Sequence, residues 1–284
     1  MDTPITDDEI IAMLEWYKSA GVDEAILEEP AAWTAWQEHA PKTQNARKAP
    51  LPKRSPASRE RGQSARAPTP AQAQSNAQSL TTPPDEAVLK ARESAAKAKT
   101  LDELEQILQS FEGCSLSKTA TNLCFYRGAK DADIMFIGEA PGRDEDIEAK
   151  PFVGLAGSLL DKMLKAIDLD ETQVHLTNAI YWRPPGNRTP TPQESQICHP
   201  FIMRQLELVA PKMVIFLGGA PAKQLLGSKE GIMRLRGKWH DFKYADTTVP
   251  AMAMLHPAYL LRTPAAKRLA WGDLLNIRAK FDNQ

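Results

Sequence analysis

Four strand-like stretches, near Ile134, Val174, Val214 and Ala253, are separated from one another by stretches with helical spacing. That alternation limits the fold more than any other feature of the chain. A strand that is followed by a helix and then another strand returns to pair in parallel, with the helix laid over a face of the sheet. The helical stretches fall near residues 158–167, 193–208 and 221–226, and a last one covers 265–280. The expected fold is therefore a three-layer α/β/α arrangement with a mainly parallel central sheet of about four strands. Hydrophobic residues make up 42% of the 284 positions, enough for a substantial core.

In an open sheet of this kind, ligands bind beyond the carboxyl ends of the strands, so the loops there carry the functional reading. After Asp133-Ile134-Met135-Phe136-Ile137 the chain turns through Gly138-Glu139-Ala140-Pro141-Gly142 into Arg143-Asp144-Glu145-Asp146. It closes with Lys150-Pro151-Phe152-Val153-Gly154 and starts a helix near Leu155. Glycines let backbone approach a ligand, and carboxylates can orient water. A second block, residues 176–188, ends a strand at Asn178 and carries Arg183-Pro184-Pro185-Gly186-Asn187-Arg188. A third, His256-Pro257-Ala258-Tyr259-Leu260-Leu261-Arg262, puts a histidine at a strand end, followed by large apolar residues that read as exposed.

Taken together, the GEAPG-x-x-ED, KPFVG, N-x-x-x-x-RPPGNR, C-x-PF, LRG-x-W and HPAYLLR blocks resemble the family 4 uracil-DNA glycosylases, over about residues 111–281 and in the family's order. The resemblance implies hydrolysis of the N-glycosidic bond of uracil in DNA by base flipping, with other deaminated bases open, leaving an abasic site. It implies Phe152 against the flipped base and Asn178 reading the uracil edge. His256 would donate to uracil O2 as a neutral or a charged imidazole. Ala140 and Gly142 would leave room for the base, and Glu139 and Glu145 are both candidates for placing the water. Leu260 is the expected wedge in the base stack, with Leu261 the alternative. Arg183, Arg188, Arg262, Lys267 and Arg268 are phosphate candidates; Arg234-Leu235-Arg236-Gly237 reads as structural.

Three cysteines argue against a disulfide framework. Most family 4 enzymes hold a four-iron cluster on four cysteines. Here Phe111 and Trp182 stand at the first and third of those places, with Cys114 and Cys198 as remnants at the second and fourth, so the expectation is a lost cluster and no cofactor. Cys124 lies outside that pattern and reads as a small buried residue.

Residues 1–40 read as a small helical segment, and 41–84 as a disordered, basic linker rich in Pro, Ala, Ser and Gln. The catalytic domain is expected over 85–284, where Thr100 stands three residues before Glu103 as a helix cap. The net charge is −1, so DNA binding would rest on local basic loops. No run is long enough to span a membrane and no signal-peptide core opens the chain, which makes the cytoplasm the default. A monomer is expected, with a protein partner assigned to the N-terminal helix and linker. The competing readings are a DNA-lesion binding protein or a scaffold of the same fold without turnover.

Overall fold

The computed structural model describes residues 84–283. The expected N-terminal helix and basic linker lie outside the described residues. Within them the sheet has six strands in the order β1-β3-β2-β4-β6-β5. The four strands expected from sequence are β2 (Ile134–Gly138), β3 (Val174–Asn178), β4 (Met213–Leu217) and β6 (Thr247–Met254), paired in parallel at the centre. Two antiparallel edge strands, β1 (Tyr126–Gly128) and β5 (Trp239–Tyr244), make the sheet mixed. Neither showed as an apolar run. β1 is three residues long, and β5 carries His240, Asp241 and Lys243 because an edge strand faces solvent along one side.

Alternation along the central strands sorts side chains between two cores. Met135 and Ile137 of β2, with Val214 and Phe216 of β4, face one layer: α1 (Pro84–Lys97), α2 (Leu101–Gln109) and α5 (Pro192–Val209). Ile134 and Phe136, with Met213 and Ile215, face the other: α4 (Leu155–Lys165) and α9 (Lys267–Phe281). Because both faces are covered, every residue of β2, β3 and β4 is buried.

Residues 84–109, rich in Ala, Glu, Lys and Leu, form two helices, α1 and α2, divided just before the Thr100 cap. Thr100 caps α2 by accepting from the Glu103 amide at 3.2 Å, and the Glu103 carboxylate accepts from the Lys99 amide at 2.6 Å. Four further α-helices, α3 (Arg143–Glu148), α6 (Gly219–Leu226), α7 (Ile232–Leu235) and α8 (Pro257–Arg262), and three short 3-10 turns complete the described elements. The LRG stretch is tied inward, since Arg236 donates to Asp273 of α9 at 2.6 and 3.0 Å. No helix among the described residues is long and apolar enough to cross a membrane.

Candidate active site

All four parallel strands end at one pocket. Their carboxyl ends deliver Glu139 after β2, Asn178 at the end of β3, Gly218 after β4 and His256 after β6, around a cavity of about 620 Å³. Ala140, Gly142, Glu145, Phe152, Arg188 and Arg262 also line it, so most of the residues expected from sequence converge.

The register explains part of that convergence. Gly138 pairs directly with Asn178 across β2 and β3. A Cβ on Gly138 would stand 2.3 Å from Asn178 Oδ1 and 2.7 Å from the Phe152 ring. Glycine is required there because the amide and the ring sit over bare backbone. The loops beyond are fastened to one another: the Ala179 amide donates to the Gly138 carbonyl at 2.9 Å, and the Ile180 amide to the Glu139 carbonyl at 3.1 Å.

Phe152 is buried with φ +58°, in the left-handed region that a bulky residue rarely adopts. Such a backbone costs roughly 1–3 kcal/mol. Burying the ring returns about 1.5–3 kcal/mol, so packing can hold the turn. Its backbone seats on Gly157 of α4, where a Cβ would lie 1.8 Å from the Phe152 carbonyl oxygen. The ring stands 6.2 Å from the His256 ring, tilted by 31°.

The two glutamates, equivalent in the sequence, differ in the structure. Both oxygens of Glu145 are engaged: one accepts from the Gly142 amide at 3.0 Å, the other from the Gly154 amide at 3.1 Å. Glu145 thereby ties the loop after β2 to the loop that carries Phe152. Glu139 is half-buried at the pocket, and desolvation raises its pKa above the ordinary carboxylate value. A partly dehydrated carboxylate facing a cavity is the better placed of the two to meet a water or a cationic sugar.

His256 is the N-cap of α8, and its Nδ1 accepts from the Ala258 amide at 3.1 Å. Burial, reinforced by the Arg262 charge, lowers its pKa to about 4. The ring is therefore neutral near pH 7. With Nδ1 occupied as an acceptor, its proton resides on Nε2. Of the two forms open in the sequence, this environment favours the neutral ring, with one N–H free to donate.

The wedge expectation needs correcting. Residues 257–262 form a helical turn, and Leu260 packs into the core at 1% exposure. A side chain held there cannot enter a base stack. Leu261, next along the turn, is 44% exposed. Arg262, Lys267 and Arg268 are exposed as phosphate contacts require. Arg183 and Arg188, expected at phosphates as well, are paired inside the chain, with Asp146 at 3.9 Å and Glu194 at 2.6 Å. Sequence reasoning missed Gly218 and Met233, which also line the pocket. The signal for Gly218 was the Leu217-Gly218-Gly219 ending of an apolar strand; nothing in the sequence marked Met233, exposed on the short α7.

At the four places where the resemblance puts iron ligands, the residues do not fit a cluster. The Phe111 ring packs edge-on against Phe201 at 4.9 Å, and Trp182 is buried beside Tyr181. Cys114 and Cys198 are fully buried as free thiols, each perturbing the ionisation of the other. Cys114 beside it, with burial, pushes the Cys198 thiol well up, while Cys114 itself is lowered. Two thiols are half of the required donor set, and aromatic packing fills the rest. Cys124 is buried as expected, its Sγ donating to the Glu145 carbonyl at 3.1 Å.

Comparison with known proteins identifies the family. A model of the uracil DNA glycosylase superfamily matches residues 125–275. The chain is 39% identical over 183 residues to a Type-4 uracil-DNA glycosylase of Archaeoglobus fulgidus, covering 63% of this chain and 92% of that protein. It is 38% identical over 187 residues to the Type-4 uracil-DNA glycosylase of Sulfurisphaera tokodaii, covering 63% and 84%. For the Type-4 uracil-DNA glycosylase of Thermotoga maritima the identity is 35% over 168 residues, covering 57% and 86%. With a matched family model over more than half its length and a pocket built from the expected loops, the chain belongs to the uracil-DNA glycosylase superfamily, on its family 4-like branch.

Proposed function

We propose that this chain is a monofunctional DNA repair enzyme that flips uracil out of DNA and hydrolyses its N-glycosidic bond. The observation that carries this reading is the convergence of Asn178, Phe152, Glu139 and His256 on one pocket. The base stacks on Phe152. The Asn178 amide donates to uracil O4 and accepts from N3–H; cytosine, with a donor at N4 and an acceptor at N3, mismatches both. As the C1′–N1 bond breaks, charge accumulates on uracil O2 and the sugar becomes cationic. His256 Nε2–H meets the first, and the Glu139 carboxylate faces the second or orients the water. Leu261 fills the gap left in the stack. Arg262, Lys267 and Arg268 contact phosphates. In this reading the catalytic domain comprises residues 85–284, and the segments before it tether DNA or a protein partner.

The test is incubation with a uracil-containing oligonucleotide followed by alkali. Strand breaks at the uracil position are expected. A mobility shift without breaks would support a lesion-binding protein instead.

The two glutamates should separate under single-turnover conditions. Glu139→Gln is expected to slow the chemical step while the protein melts normally, because its carboxylate is not needed to hold a loop. Glu145→Gln is expected to lower both melting temperature and rate, since it releases two backbone amides. Equal rates for Glu139→Gln and the native chain would remove Glu139 from the mechanism.

Cluster loss is part of the proposal. Protein purified under air is expected to be colourless and free of iron, because only two of the four ligand positions carry thiols. Stoichiometric iron by metal analysis, with absorbance in the visible, would overturn that.

A further inference from the structure

One wall of the pocket is the turn Pro184–Pro190, which supplies Pro184, Asn187 and Arg188 among others to the lining. It carries no regular strand or helix beyond one short turn, yet it must stay in place while a base enters. The arginine that ends the RPPGNR block is held from beneath. Arg188 Nη1 and Nη2 donate to the two Glu194 oxygens at 2.9 and 2.6 Å, a bidentate pair. Glu194 is 4% exposed, and it also accepts from the Thr191 amide at 2.7 Å at the start of α5. The other arginine of the block, Arg183, donates to Asn187 Oδ1 at 2.6 Å inside the same turn.

We propose that Glu194, which lies outside the pocket, is a positioning residue for base excision. It anchors Arg188 to the rigid α5, so that the Pro184–Pro190 wall is set before DNA arrives. Arg188 accordingly serves the wall rather than a phosphate. The inference rests on the glycosylase reading for its kinetic consequence, and on geometry alone for its structural one.

Glu194→Gln and Arg188→Met test it together. Glutamine keeps the volume and can still accept from the Thr191 amide, so the α5 cap survives. Each variant is expected to lose on the order of 100-fold in single-turnover rate, the scale of a small misplacement at a reacting centre. The double variant should lose no more than either alone, because both changes undo one contact. Affinity for uracil-free duplex, and its dependence on salt, should stay as in the native chain. If Arg188 instead neutralised a phosphate, Arg188→Met would flatten the salt slope by about 0.9 and Glu194→Gln would leave it unchanged. That result would overturn the proposal, as would a variant that melts lower yet excises at the native rate. Hydrogen exchange at the Asn187 and Arg188 amides, measured without DNA, should speed up in both variants. Unchanged exchange would also overturn it. This readout needs no turnover, so a native chain that fails to excise uracil defeats the glycosylase reading and still reports on the wall. A native chain that excises uracil, matched by both variants, defeats the wall alone.

Discussion

His256→Ala is expected to slow the chemical step of uracil excision on the order of 100- to 1,000-fold, the usual loss when one donor to a developing oxyanion is removed. DNA affinity should hold, since the bond gains strength only once O2 carries charge. The neutral ring makes the expectation sharper. A pKa lowered to about 4 means that His256 stays unprotonated across the working range, so no loss of rate should follow pH upward through 6.5. The acid limb belongs to Glu139. Its pKa is raised, so its carboxylate is lost as pH falls, at a pH above the ordinary carboxylate range. Single-turnover rates across pH should show one rising limb that disappears in Glu139→Gln. A rate that declines as pH rises through 6.5, and does so only while His256 is present, would mean that the imidazolium is the donor.

Asn178→Asp should abolish uracil selectivity. A carboxylate at the end of β3 can still accept from N3–H, but it has no donor for O4 and repels that oxygen as it gains charge. Sites built to hydrogen-bond a substrate group discriminate by about 10⁴-fold when the pairing fails, and a loss of that order in uracil excision is expected. The carboxylate can accept from a cytosine N4 amino group, so the ratio of uracil to cytosine excision should fall further than the uracil rate alone. Parallel oligonucleotides carrying either base decide the matter. A variant that retains the native uracil rate would place recognition elsewhere in the pocket.

The parts of the site that were legible in the sequence are those where one residue type is dictated locally. Apolar runs that end in Gly138 or Asn178 announce strand ends, and an open sheet gathers its strand ends at one edge. β2 and β4 were visible as continuous apolar runs covered on both faces, whereas β3 is buried throughout although it carries His175 and Thr177. Edge strands β1 and β5 were not, since half-exposed strands mix polar and apolar residues. Leu260 was misassigned because HPAYLLR reads as a loop until the proline is seen to start a helix, which rotates Leu261 about 100° away from the buried Leu260. The arginines of RPPGNR look like surface charge in sequence. Their partners, Asp146 and Glu194, are brought to them only by the fold. The distinction between Glu139 and Glu145 likewise needed the backbone amides that only one of them accepts from.

The most direct test of the whole account is the release of free uracil, quantified by mass spectrometry, from a uracil-containing oligonucleotide by protein shown in the same preparation to lack iron. The account predicts one free uracil and one abasic site for each uracil present, from colourless protein. Intact glycosidic bonds, or release confined to iron-containing fractions, would contradict it.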